Sequence, residues 1–245
     1  MVIYKNLQRS FPEKNENELR LIIKGVYRNL SDLVVEGIKG FSMSKADLQR
    51  RYRFINPSIT DALKATNRSG ILSGGHFTNW EWGVLSWNTW LAPQAVGIYM
   101  PVRNKHVETY LNHKRGQWGL VLAPTYETRQ AIETNLHQSC LYVLLGDQSP
   151  NNTRKVHWVD FMNQPTAWNH GIDTLARTYG FPVYFMDVRR VKRGYYEIEV
   201  LPLCLTPTLL EAGEITKLYV AAVEKCVQAK PADWLWSHKR WKLNT

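Results

Sequence analysis

One imidazole and one carboxylate stand five positions apart in Gly74-Gly75-His76-Phe77-Thr78-Asn79-Trp80-Glu81-Trp82-Gly83. A short apolar run, Gly70-Ile71-Leu72-Ser73, precedes them and a helical pattern follows. A histidine held by a carboxylate is a general base: the carboxylate fixes the tautomer and stabilises the imidazolium. Five residues on one continuous helix is a rotation of about 500°, which separates His76 from Glu81. With His76 in the turn and Glu81 in the first helical turn, the chain can fold back and bring them together. The same residues also fit a capping box, with Thr78 as N-cap and Glu81 reaching back from the third helical position. His76 is then an ordinary turn residue, and spacing alone leaves both readings open.

The elements around this turn alternate. Residues 71–73, 96–100, 120–123 and 141–145 read as strands, and 79–90, 105–118 and 128–137 as helices. A polar loop is expected from 146 to about 170, then a helix at 171–179. Adjacent strands at 182–188 and 195–201 share the basic turn Lys192-Arg193-Gly194, and a helix at 214–228 follows. This order predicts an α/β fold, a mostly parallel central sheet flanked by helices. The simplest division is one domain over 1–245, with a helical N-terminal part (1–55) and an α/β core (70–245). Within the former, 45–54 reads as a short helix. Residues 16–39 read as an amphipathic helix through Leu19, Ile22, Ile23, Val26, Tyr27, Leu30, Leu33, Val34 and Ile38, a stripe expected to face the core rather than a membrane.

In open α/β sheets, sites form beyond the carboxyl ends of the strands. Three polar groups fall there: His76 to Glu81, the run Tyr99-Met100-Pro101-Val102-Arg103-Asn104-Lys105, and Asp147-Gln148. Asn104 also fits a helix cap, and Asp147 a partner for a nearby arginine.

The 245 residues are 44% hydrophobic, enough for a substantial core, and disfavour bulk disorder. Ten tryptophans and twelve tyrosines suit either an aromatic core or a membrane interface. The net charge of +10 favours an acidic partner, such as anionic lipid or an acidic carrier protein. No nucleic-acid motif accompanies the basic clusters. Cys140, Cys204 and Cys226 are scattered and odd in number, which argues for a reducing compartment and against a zinc site. No run of about 18 apolar residues and no signal-peptide pattern is visible.

The order of these blocks resembles one family. Gly75-His76-Phe77-Thr78-Asn79-Trp80-Glu81, the Tyr99 to Lys105 run, and Gly146-Asp147-Gln148-Ser149-Pro150 with Phe161, Pro165-Thr166 and Gly171 are similar to successive blocks of the bacterial lipid A biosynthesis late acyltransferases. Trp234-Leu235-Trp236-Ser237-His238-Lys239-Arg240-Trp241-Lys242 is similar to the closing block, and agreement begins at Asn6-Leu7 and Phe11-Pro12. These enzymes sit within the wider lysophospholipid acyltransferase superfamily. The resemblance implies a glycerol-phosphate-acyltransferase-like fold and transfer of a fatty acyl chain from acyl carrier protein or coenzyme A to a glycolipid hydroxyl. It implies His76 as general base and Glu81 as the group that orients it, with no acyl-enzyme. It also implies no metal, and no cofactor beyond the acyl thioester. On the substrate side it places Asn79, Arg103, Lys105, Arg115, Asp147 and Gln148. Asp147 and Gln148 shape the site or hold a cation, and Arg103 and Lys105 meet lipid phosphates or the carrier. Amides near Gly74-Gly75, or Arg115, are candidates to hold the oxyanion. The implied location is the cytoplasmic face of the bacterial inner membrane, in contact with an anionic surface.

Two positions depart from the family pattern. Met100 stands where many relatives carry a basic residue, with Arg103 the nearest substitute, and Met1-Val2-Ile3-Tyr4 carries no hydrophobic anchor. A truncated or peripheral form is expected on the second ground. Other readings of the signature are a lysophospholipid or amino-acid lipid as acceptor, a non-catalytic lipid-binding homologue, and a metal-dependent hydrolase, which lacks a third ligand at helpful spacing.

Overall fold

The computed structural model describes residues 2–151 and 153–244. Helices α1 (Val2–Ser10), α2 (Glu16–Gly40) and α3 (Lys45–Arg51) lead into strand β1 (Tyr52–Phe54) and the short α4 (Asp61–Ala65). Strand and helix then alternate through β2 (Gly70–Gly74), α5 (Trp80–Trp90), β3 (Gln94–Tyr99), α6 (Lys105–Gly116), β4 (Val121–Pro124), α7 (Thr128–Thr134) and β5 (Cys140–Leu145). A hairpin of β6 (Val156–Phe161) and β7 (Gln164–Asn169) precedes α8 (Gly171–Tyr179). The chain closes with β8 (Val183–Lys192), β9 (Tyr195–Cys204) and α9 (Glu214–Ala229).

Seven strands form one sheet in the order β1-β9-β8-β2-β5-β3-β4, parallel except for the β8/β9 pair. The α/β fold with a mostly parallel sheet is thus as the sequence alternation implies. Successive side chains point to opposite faces of a strand, and both faces are buried. Ile71, Tyr142 and Phe185 join one core with Val220 and Val223 of α9. Their neighbours Leu72, Leu141, Val143, Tyr184 and Met186 join another with Trp82, Leu85 and Trp87 of α5. Much of the aromatic load is therefore core.

Three expectations are corrected. Residues 52–54 are not the end of a helix but an edge strand, parallel to β9, with Tyr52 and Phe54 buried and Arg53 exposed. Aromatics at alternate positions favour that geometry. The expected polar loop contains the β6–β7 hairpin, whose turn residues Met162 and Asn163 have φ of 51° and 62°. That positive pair is the backbone of a two-residue hairpin turn. Finally, α2 forms as expected, opened by a capping box in which Asn15 accepts from Asn17 and Glu18 and Glu18 reaches back. Its stripe faces the core as expected through Leu19, Ile22, Ile23, Val26 and Leu30, whereas Tyr27, Val34 and Ile38 are exposed.

Candidate active site

Strands β2 and β5 are hydrogen-bonded neighbours, and Gly74 pairs with Leu145. Two residues beyond each lie His76 and Asp147, so the parallel register sets them opposite one another. His76 Nδ1 is 2.6 Å from Asp147 Oδ1, and the His76 amide donates to Asp147 Oδ2 at 2.7 Å. The Trp234 indole donates to the same oxygen at 2.8 Å. Gly75 makes this approach possible. A Cβ there would lie 2.5 Å from the Phe77 ring and 3.0 Å from Asp147 Oδ2.

With Nδ1–H donating to Asp147, the ring carries its lone pair on Nε2. The Gln148 amide Nε2 lies 3.3 Å from that atom. Trp80 packs edge-on to the imidazole with centroids 5.1 Å apart. Burial works against the charged imidazole, but the Asp147 carboxylate and its hydrogen bond outweigh it and hold His76 above the ordinary histidine value, with Glu81 adding in the same direction. Burial likewise raises Asp147, yet the charge of His76 and the three donors bring it below the ordinary carboxylate value. Asp147 is fully enclosed, while a sixth of the His76 side chain remains accessible. Together these groups fix the His76 tautomer, with Nε2 facing the Gln148 amide in a side chain that keeps some access to solvent.

Glu81 has a different partner from the expected one. It sits in the first turn of α5, where Arg115 of α6 holds its carboxylate at 2.9 and 3.0 Å through Nη2. The carboxylate that touches His76 is Asp147, because adjacency in the sheet brings it closer than the helix start can. The expected capping box does not form at this helix. Asn79, not Thr78, caps α5 by accepting from the Trp82 amide at 3.0 Å. Thr78 instead takes φ of 46°, and its amide donates to the Asp233 carbonyl at 2.8 Å. Asn79 is wholly buried and donates to Glu36 at 2.8 Å, so it supports the turn from behind.

The second block lies farther out. Asn104 caps α6, accepting from the amides of His106 and Val107, and Arg103 and Lys105 are exposed beside it. Of the oxyanion candidates, the His76 amide is taken by Asp147 and the Phe77 amide by the Gly75 carbonyl. Arg115 engages Glu81 through Nε and Nη2.

Several residues of the site carried no sequence-level role. Tyr219 of α9 donates to the Gly74 carbonyl at 2.6 Å and accepts from the Gly146 amide at 3.0 Å, tying together the ends of β2 and β5. His238 Nε2 accepts from the Ser149 amide at 2.9 Å. The Arg240 guanidinium is buried 4.2 Å over the Trp168 ring, and burial lowers its pKa to about 10. A groove of about 600 Å³ between Ser10, Phe11, Met162 and Pro231 contains none of the residues around His76.

The match to known proteins covers this whole arrangement. Residues 2–243 match the family of bacterial lipid A biosynthesis acyltransferases. The chain belongs to that family. It is also similar to the lipid A biosynthesis lauroyltransferase of Escherichia coli (strain K12), with 22% identity over 98% of this chain and 78% of that protein. As a lipid A acyltransferase family member, the chain spans every element that builds the His76 cluster: the β2 and β5 ends, α5, α9 and the closing Trp234 segment.

Proposed function

We propose that the protein transfers a fatty acyl chain from an acyl thioester to a hydroxyl of a lipid A precursor, with His76 as general base. The observation that carries this reading is the His76 Nδ1 to Asp147 contact at 2.6 Å, which leaves Nε2 to take a proton. The acceptor hydroxyl gives its proton to Nε2 as its oxygen attacks the thioester carbonyl. The tetrahedral intermediate then expels the thiol, which receives the proton back from His76, and an ester has replaced the thioester. No protein nucleophile enters the sequence of steps.

In this account Asp147 holds the tautomer and Gln148 lies beside the reacting nitrogen. Glu81 acts on His76 through its field while its hydrogen bonds fix Arg115. Arg115 and the exposed Arg103 and Lys105 supply positive charge for the phosphates of the acceptor or for an acidic carrier protein. Coenzyme A is the alternative donor, and the name of the relative makes a lauroyl chain the first to try. The acceptor places the work at the cytoplasmic face of the bacterial inner membrane, against its anionic surface. Among the described residues no helix is long and apolar enough to cross a membrane, and contact through surface groups suits that chain.

Mass spectrometry of a tetra-acylated lipid A precursor, incubated with lauroyl carrier protein or lauroyl coenzyme A, tests the reading. The expected result is a gain of one acyl chain with the wild type and none with folded His76→Ala. Equal turnover by folded His76→Ala removes the proposed base. A gain on lysophospholipid or amino-acid lipid alone moves the function to that acceptor.

A further inference from the structure

The second half of α2 is amphipathic in the reversed sense. Toward the protein it buries Asn29, Asp32 and Glu36, at 3%, 1% and 8% exposure, and outward it presents Val34, Val35 and Ile38 at 63%, 62% and 69%. A helix on a protein surface in water shows the opposite pattern. Bonds fix this orientation. Asn29 donates to the Asp233 carbonyl at 3.2 Å, Asp32 accepts from Arg190 at 2.8 Å and from Arg193 at 2.7 Å, and Glu36 accepts from Asn79 at 2.8 Å and from Tyr196 at 2.7 Å. Rolling the helix to hide its aliphatics would strand buried polar groups, which is costly.

The apolar strip continues past the helix. Phe41 meets Tyr110 of α6 edge-on, with centroids 5.9 Å apart, and Lys114 Nζ donates to the Phe41 carbonyl at 3.4 Å. Helix α6 buries none of its residues. Tyr110 and, just before that helix, Met100 and Val102 are exposed. The exposed charges beside this patch, Lys39, Arg103 and Lys105, are cationic; the only acidic residues between 24 and 39, Asp32 and Glu36, are buried, and Glu108 of α6 is half-buried and accepts from the Tyr99 hydroxyl. Arg115, near the end of the same α6, grips Glu81, so the patch borders the His76 turn.

We propose that Val34, Val35, Ile38, Met100, Val102 and Tyr110 form the face that lies on an anionic lipid bilayer. The aliphatic side chains enter the acyl boundary, and Lys39, Arg103 and Lys105 stand among the headgroup phosphates. The inference rests on the reading of a membrane-embedded acceptor, and it names the side of the molecule that meets it. An acidic carrier protein would match the cations but leave the aliphatics in water. A second copy of this chain would cover the aliphatics but set like charges against each other across a two-fold axis.

Vesicle flotation with wild type and Val35→Asp/Ile38→Asp tests the face, paired with transfer assays in detergent micelles and in vesicles. Both substituted residues are exposed and away from the reacting groups, so thermal unfolding of the variant is expected to match wild type. Wild type floats with vesicles of phosphatidylcholine and phosphatidylglycerol and about tenfold less with phosphatidylcholine alone. The variant loses about tenfold in flotation and in transfer to vesicle-held acceptor, and keeps transfer in detergent. Flotation of the variant equal to wild type overturns the proposed face. So does a wild-type dimer that ignores vesicles and that the variant dissociates. Absence of transfer in detergent by both proteins counts against the acyl-transfer reading, while flotation still decides the face.

Discussion

His76 has two carboxylates within electrostatic reach, and only one of them touches it. Asp147 receives the ring N–H and the main-chain N–H of His76, and the Trp234 indole N–H, so each oxygen has a donor. In Asp147→Asn the oxygen shared by the His76 amide and Trp234 stays an acceptor, which turns the new amide nitrogen toward Nδ1. The ring must then accept at Nδ1 and carry its proton on Nε2, the wrong tautomer for a base. Transfer is expected to fall about 10²–10⁴-fold with little change in KM. The pH profile follows from the same contact. A base works unprotonated, and His76 is held above the ordinary histidine value, so kcat/KM rises with pH through an inflection above about 6.5. In Glu81→Gln that inflection moves to lower pH, because a negative charge that favours the imidazolium is gone, and activity falls less than in Asp147→Asn. Rate profiles of the three proteins check both statements. At this scale the sequence makes His76 legible, since the proposed base and its glycines are contiguous. Asp147 is legible as a residue at the same end of the sheet but not as the partner, because the two meet only through the β2–β5 register, 71 residues apart in the chain.

Among the elements, the turn between β2 and α5 is held from behind by groups that local pattern does not reveal. Gly75 is required by close approach rather than by its backbone angles. Gly75→Ala drives a methyl into the Phe77 ring and the Asp147 carboxylate. The expected outcome is a loss of transfer larger than the loss of stability, read from kcat beside thermal unfolding. Asn79 both caps α5 and occupies Glu36 in the interior. Asn79→Ala removes the cap and leaves a buried carboxylate with one donor fewer, a cost of about 1–3 kcal/mol in denaturant unfolding. The sequence separates helices from strands well where the period is sustained, as in α2, α5 and β5. It misplaces 52–54 because a three-residue strand carries too little period, and its pairing with β9 lies elsewhere in the chain. It misses the β6–β7 hairpin because Met162-Asn163 lacks the glycine that marks such turns. In α2 it finds the helix and the core-facing part of its stripe but not the outward turn of Val34 and Ile38, since hydrophobic spacing cannot say whether an aliphatic residue meets a core or something outside.

Over the whole molecule, the carboxyl ends of the central strands β2 and β5 meet, and the closing segment is folded against them. Trp234, Trp236, Arg240 and Trp241 are buried, Trp234 bonds Asp147, and Asn6 of α1 donates to the carbonyls of Trp236 and His238 at 3.0 Å. Deleting residues 234–245 therefore removes both a donor to the site and a set of packed aromatics. The truncated chain is expected to lose cooperative unfolding, measured by near-ultraviolet circular dichroism against temperature. The family blocks name this segment, but only the folded chain shows that it reaches Asp147.

The most direct test is the rate of acyl-chain gain on the lipid A precursor, followed by mass spectrometry for wild type, His76→Ala and Asp147→Asn, each verified as folded. The account predicts steady gain with wild type, none with His76→Ala, and a residual rate with Asp147→Asn. Transfer by Asp147→Asn at the wild-type rate, with the same pH profile, would contradict the claim that the His76–Asp147 pair is the working base.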